Sequence, residues 1–297
     1  MKYFVLSLFS LAFGSALSAQ PQKSLPDPLK VLCSNGVGEV MKELQPQIEK
    51  AIGRKIAFEF GTATGYKQKI DGGEEFDVAI LTPVLIDDLI RQGKVDKGSF
   101  DIAQGGVGVG VRAGAPKPKI DSMAEFKAAM LLAKSVTLTG NGQSRTTVDA
   151  AFDRLGIADV MKSKTLLVGP GEGPPNVAAG KAEIVLTLIS EIIAVKGVQL
   201  VGPLPAELQK YSTFTAGASE TSKNAASARA FVDFLRHAKL DRLLEKYGMK
   251  PILRALVLRE QVCDGQLNAI ILRFQNAIEG FEMPLMGNPP SPPRRGI

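Results

Sequence analysis

Short strand-like runs alternate with amphipathic helical patterns from residue 29 to residue 93, and this alternation constrains the chain more than any other feature. The run LKVLC at 29–33 reads as a strand. Between Gly36 and Lys50, Val37, Val40, Met41, Leu44 and Ile48 fall on one helical face. KIAFEF at 55–60 reads as a second strand, followed by a helix from Gly65 to Asp71. FDVAIL at 76–81 reads as a third, followed by a helix over 84–93 with a glycine stop. Strand and helix repeated in units this short predict a parallel α/β sheet.

The pattern breaks once, at GGVGVGVRAGAPKPK, residues 105–119. Its alternating Val and Gly make a strand with little side-chain bulk, and the Gly, Pro and Lys after it make a connector. A second α/β series then begins. The sequence predicts a helix at 122–133, a strand at 135–138, a helix from Ser144 to Leu155 and a strand at 165–168. After the loop GPGEGPP comes the strand AEIVLTLIS at 182–190, then an apolar helix start. YSTFTAG at 211–217 reads as a return strand, and a helix follows over 223–236.

The ends read differently. Met1 and Lys2 precede an uncharged, Phe- and Leu-rich run and then small residues, Gly14 to Ala19. A positive start, a short apolar core and a small-residue exit predict a secretory signal peptide over 1–19. The run is short for a membrane anchor, which needs about 20 apolar residues. Residues 252–297 read as an appended helix and a disordered tail, because GNPPSPPRRGI is rich in proline. The net charge of +6 comes from scattered lysines, with no basic patch interleaved with aromatics, so nucleic acid is not an expected partner. Cys33 and Cys263 are the two cysteines. An oxidising compartment would permit them to pair, but Cys33 ends an apolar run and reads equally as a small buried hydrophobe.

Several segments together resemble the periplasmic solute-binding proteins of ABC transporters, in their molybdate-binding-like branch. LKVLCSNGVGEVMKEL is similar to the opening strand and first helix of that family. FEFGTATGYKQKIDGGEEFDVAIL is similar to its Gly- and Thr-rich loop, helix and next strand. GVGVRAGAPKPKIDSMAEF, SRTTVDAAFDRLGI, AAGKAEIVLTLISEI and ASARAFVDFLRHAKLDRLLEKYGMKP are similar to its later parts. The resemblance covers about residues 28–251, and the chain beyond Pro251 departs from it. It implies an α/β fold of two Rossmann-like lobes with mixed sheets, joined by two crossing strands, with a ligand cleft between them. Crossings near 105–112 and 208–216 would make lobe 1 discontinuous, 28–106 and 212–251, with lobe 2 at 107–211. The implied function is capture of a small anion in the periplasm by a monomer that serves an inner-membrane permease, with no cofactor and no metal.

A small anion needs hydrogen-bond donors, and helix N-termini and hydroxyls supply them. In an open α/β sheet these groups gather after the strands. The candidate contacts are therefore Ser34, Asn35 and Gly36 after the first strand, and Thr62, Ala63 and Thr64 after the second. In the second series they are Ser144, Arg145 and Thr146 at a helix start, and Thr187 and Ser190 near the end of the late strand. Each has a plainer reading: Ser34, Asn35 and Ser144 as helix caps, Thr62 and Thr64 as turn residues, Arg145 as a solvated charge, Thr187 and Ser190 as core hydroxyls. Molybdate binders of the family commonly place a tyrosine where this chain has Thr187 and Leu188, and they usually lack a cation where it has Arg145. A small organic carboxylate is thus the rival to a molybdate-like oxyanion, because Arg pairs with carboxylates in bidentate fashion. A sensory or assembly module that kept the fold is a further alternative.

Catalysis is not expected. The one histidine, His237, falls on a helix between Arg236 and Lys239 and reads as a surface residue. No Gly-x-Ser-x-Gly is present, no His/Cys cluster offers a metal site, and GVGVG at 106–110 lacks the spacing of a nucleotide loop.

Overall fold

A computed structural model describes residues 27–252. The first series folds as its periodicity predicts. Strand β1 (Leu29–Ser34) leads through a 3-10 turn (Asn35–Val37) into helix α1 (Gly38–Ile52). Val40, Met41, Leu44 and Ile48 are the buried face of α1, and Gly53, at φ 64°, ends it in the left-handed conformation that glycine tolerates best. Strand β2 (Ile56–Gly61), helix α2 (Ala63–Asp71), strand β3 (Val78–Leu81) and helix α3 (Pro83–Arg91) complete the series. Strand β1 lies parallel to both β2 and β3. Core packs on both faces of this sheet: Leu32, Tyr66, Ile70, Ile86 and Leu89 cluster on one side, while Val31, Cys33, Val40 and Met41 join the main core.

The Gly/Val run is strand β4 (Phe100–Arg112), 13 residues long. The second series follows: α4 (Met123–Leu132), β5 (Val136–Thr139), α5 (Gln143–Leu155), α6 (Ala158–Lys164), β6 (Thr165–Val168), α7 (Gly173–Ala178), β7 (Ile184–Leu188), α8 (Ile189–Ile193) and β8 (Val198–Pro203). A capping box at Ser122 and Glu125 starts α4. The chain then returns through β9 (Tyr211–Ala218), α9 (Ala225–His237), α10 (Asp241–Lys246) and β10 (Met249–Pro251).

The strand order is β2-β1-β3-β9-β4-β7-β5-β6, with β8 and β10 also paired to β4. Both halves are mixed sheets. Strand β9 runs antiparallel between β3 and β4, and β7 runs parallel to β5 and antiparallel to β4. Strand β4 belongs to both lobes. Its first half, Phe100 to Gly106, pairs with β9, and its second half, Val107 to Val111, pairs with β7. The glycines in the second half admit close neighbours: a Cβ at Gly108 would stand 2.7 Å from Ile189 Cγ1. The chain crosses between the sheets twice, within β4 and again over 204–211. Where the two crossings meet, the Gln209 amide donates to the Val107 carbonyl at 2.7 Å and accepts from the Val107 N–H at 2.9 Å. The expected two-lobed α/β fold with mixed sheets is the fold observed.

Three expectations are refined. The late strand ends at Leu188, so Ser190 sits on the first turn of α8. Strands β8 and β10 were not anticipated. Cys33 is fully buried, with its Sγ donating weakly to the Ser34 carbonyl at 3.5 Å, and burial pushes its thiol pKa up. Cys263, the signal peptide expected over 1–19 and the helix and tail expected beyond Pro251 lie outside the described residues, which end at Ile252. Among the described residues, no helix is long and apolar enough to cross a membrane.

Candidate functional site

The ends of β1, β2, β5, β6 and β7 converge where the two sheets face each other. Ser34, Asn35 and Gly36 come from the end of β1 and the 3-10 turn; Gly61, Thr62 and Ala63 come from the end of β2 and the start of α2. Facing them are Thr139, Gly142, Gln143 and Ser144 from β5 and α5, Pro170 and Gly171 after β6, and Leu188 and Glu191 around the start of α8. They line a small chamber of about 20 Å³, close to the room one water needs.

Six of the eleven sequence candidates line this chamber: Ser34, Asn35, Gly36, Thr62, Ala63 and Ser144. Two plainer readings do not hold. Ser34 precedes the 3-10 turn but makes no side-chain cap bond, and α5 is preceded by Gly142, so Ser144 is not its cap. Thr62 does cap α2, its Oγ1 accepting from the Gly65 N–H at 3.2 Å.

The other five stand elsewhere. Thr64 Oγ1 donates to the Asn141 carbonyl at 3.1 Å, linking α2 to the loop after β5. Ser190 Oγ donates to the Gly36 carbonyl at 2.6 Å, a second link between the lobes. Thr187 is buried and donates to Glu191 Oε2. Thr146 bonds back to the Gln143 carbonyl within its own helix. Arg145 is the clearest departure from expectation. One residue past Ser144, it points away from the chamber, pairs with Asp149 at 2.7 Å and lines a separate groove beside Phe152 and Met161. The i,i+4 spacing on α5 explains the pairing.

Sequence reading missed the two most distinctive groups of the chamber. Both the Nε2 and the Oε1 of Gln143 are buried without a hydrogen-bond partner. Unpartnered buried amides are rare, because each lost bond costs about 1–3 kcal/mol. Glu191 lines the chamber and also an adjoining groove of about 620 Å³, which it shares with Asn35, Gly171, Lys42 and Lys181. Part of the Glu191 side chain faces that groove, but its carboxyl lies deep among protein atoms. Burial raises its pKa above the usual carboxylate value, and the Thr187 hydrogen bond opposes this only in part.

Glu191 is the one titratable side chain in the lining of the chamber. Lys42 and Lys181 appear only in the outer groove, with Glu39 and Glu172, and Lys42 pairs with Glu39 at 2.6 Å. Among the described residues, no cluster of three or more His, Cys, Asp or Glu side chains is arranged to hold a metal.

A chamber at the carboxyl ends of strands, closed between two mixed-sheet lobes, defines the class of two-lobed binding proteins. Residues 29–250 match the family model of bacterial extracellular solute-binding proteins, and the chain belongs to that family. Its fold is similar to that of the periplasmic molybdate-binding protein of Azotobacter vinelandii, with TM-score 0.64 and 17% identity, over 74% of this chain and 98% of that one. It is also similar to the sulfate-binding protein SubI of Mycobacterium tuberculosis H37Rv, with TM-score 0.60 and 18% identity, over 84% and 91% of the two chains. In sequence it is 28% identical over 253 residues to a protein named aconitate isomerase from a Pseudomonas species, covering 83% of this chain and 95% of that one.

Proposed function

We propose that this protein is the exported solute receptor of an ABC uptake system and closes its lobes, 28–106 with 212–251 and 107–211, on a small anion. The observation that carries the reading is the Gln143 amide, buried and unpartnered in a chamber walled by both lobes. Around it stand the hydroxyls of Ser34, Thr62 and Ser144 and the N-terminal starts of α2 and α5, which favour negative charge. Such neutral donors suit one oxyanion or carboxylate group. The length of the 620 Å³ groove that continues past Asn35 and Glu191, walled by Lys42 with its partner Glu39 and by Glu172 and Lys181, favours a ligand longer than a tetrahedral oxyanion. A small organic carboxylate is the ligand class we favour over a molybdate-like oxyanion. In this reading the protein acts as a periplasmic monomer, export follows from residues 1–19, and an inner-membrane permease takes the ligand from the closed form.

A melting-temperature screen against molybdate, sulfate and mono-, di- and tricarboxylates tests this. A ligand that binds only the folded state at a hundred times its Kd adds about 2.7 kcal/mol. Organic acids should raise the melting temperature and molybdate should do so less. Silence across the panel refutes the receptor reading.

One observation favours a second reading, in which the cleft also performs an isomerisation. The relative named aconitate isomerase matches 83% of this chain and 95% of its own length, and Glu191 is a carboxyl at the cleft whose pKa burial raises, a group able to move a proton. Incubating the protein with single isomers of aconitate and following each by NMR decides this. Turnover abolished by Glu191→Gln supports it, and no interconversion removes it.

A further inference from the structure

We propose that Glu191 is the proton-carrying group of the cleft: in the complex it is a neutral carboxylic acid whose O–H donates a hydrogen bond to the anion, so that wherever the free carboxyl is ionised, binding takes a proton from solution. The inference rests on the anion-receptor reading and specifies the chemistry of that same site.

Three observations carry it. First, Glu191 lines both the chamber and the outer groove and so stands where the two adjoin. Second, the Thr187 hydroxyl donates to Oε2, which leaves Oε1 as the oxygen able to hold a proton. Third, the Gln143 amide in the same chamber is buried without a partner, which points independently to a polar ligand there. An ionised carboxylate at this position would repel the anion in a poorly solvated space. A neutral acid would instead offer a donor.

No neighbouring cation among the described residues holds Glu191 in the ionised form. Helix α8 packs against β4, β7, β8 and the 3-10 turn. Strands β7 and β8 and the turn carry no titratable side chain, and β4 carries Asp101 and Arg112 near its two ends. Asp101 accepts from Thr215, and Arg112 lines a different groove, beside Glu183. In the outer groove Lys42 is paired with Glu39, and Lys181 and Glu172 complete the charged lining. Glu191 itself forms no ion pair among the described residues. Burial, opposed in part by Thr187, therefore governs its protonation.

The test is calorimetric titration of the full chain with aconitate and, separately, with molybdate. It is run near pH 8, about where neither probe carries a proton to lose, in two buffers of different ionisation enthalpy. Uptake of up to one proton per anion is expected, with affinity falling by up to tenfold per pH unit on the alkaline side. Glu191→Gln keeps a neutral donor. It should bind with proton uptake abolished and affinity flat with pH, its melting curve confirming the fold. Binding without proton uptake in the parent protein overturns the proposal and leaves the receptor reading standing. So does an E191Q variant that is folded and shows the parent's pH profile, or is folded and does not bind. If neither probe binds, the receptor reading and this proposal fall together.

Discussion

The hydroxyl of Ser190, on the first turn after β7, donates to the carbonyl of Gly36, on the turn after β1, at 2.6 Å. The two residues follow strands of different sheets, β7 and β1, and lie 154 positions apart in sequence. This bond and the one from Thr64 to Asn141 fasten the cleft from two sides. Ser190→Ala should cost about 1–2 kcal/mol, because it leaves a buried carbonyl without its donor. Urea unfolding measures the loss, and small-angle scattering of the ligand-free variant should give a larger radius of gyration than the parent. An unchanged radius with unchanged stability would show that Ser190 does not hold the lobes together.

Gly36 leaves no room for a side chain. A Cβ there would stand 2.4 Å from both Leu188 Cδ1 and Phe214 Cζ, and Phe214 is fully buried. Gly36→Ala should therefore destabilise by about 1–3 kcal/mol through overpacking. It should also weaken anion binding, since the displaced turn carries Ser34 and Asn35. Thermal unfolding and a titration of the same variant check the two effects together.

Glu49 ties the end of α1 to the start of β2. Its Oε1 accepts from Gln45 Nε2 and from the Ile56 N–H, both at 3.0 Å, and its Oε2 accepts from Lys55 at 2.7 Å. The Lys55 and Gln45 bonds lead in holding its pKa down at about 2, against the usual 4.5. A depressed carboxylate stabilises the fold above its unfolded pKa, and the contribution disappears as pH falls through the folded value. Glu49→Gln should cost about 1–2 kcal/mol near neutral pH, allowing for a partly solvated Lys55. The gap between the two proteins should close as pH falls from about 4.5 to about 2. Urea unfolding across that range checks it, and a constant gap would contradict the assignment.

Arg145→Ala should leave anion affinity within about twofold, and stability within about 0.5 kcal/mol, because its partner is Asp149 at i+4 on an accessible face. A tenfold loss of affinity in calorimetry would return Arg145 to the site.

The residues show why so much of this was legible from sequence. Chamber loops follow parallel strands, and strands with β-branched runs and clear helix partners are easily read, so Ser34, Asn35, Gly36, Thr62, Ala63 and Ser144 were found together. Side-chain direction within a helical turn was not legible: Ser144 and Arg145 are adjacent, yet one faces the chamber and the other Asp149. Gln143 was passed over because nothing local marks an amide that will lose its partners on folding. Glu191 left a faint signal, as the single charge between Ile184 and Val195. Such a charge reads as the solvent side of a helix until tertiary packing encloses it. Strand β8 escaped because it pairs only with β4 and ends in Gly202 and Pro203, residues that punctuate strands at sheet edges.

The unbroken course of β4 has a mechanical consequence. Two lobes that share one strand have an axle rather than a tether. The pairing of that strand passes from β9 to β7 near Val107, and there Gln209 grips the Val107 peptide from the second crossing. A shared strand confines relative motion of the two sheets to a few soft coordinates. In the receptor role proposed above, a membrane partner would therefore meet two outlines, shut or ajar, and would tell loaded from empty by shape alone.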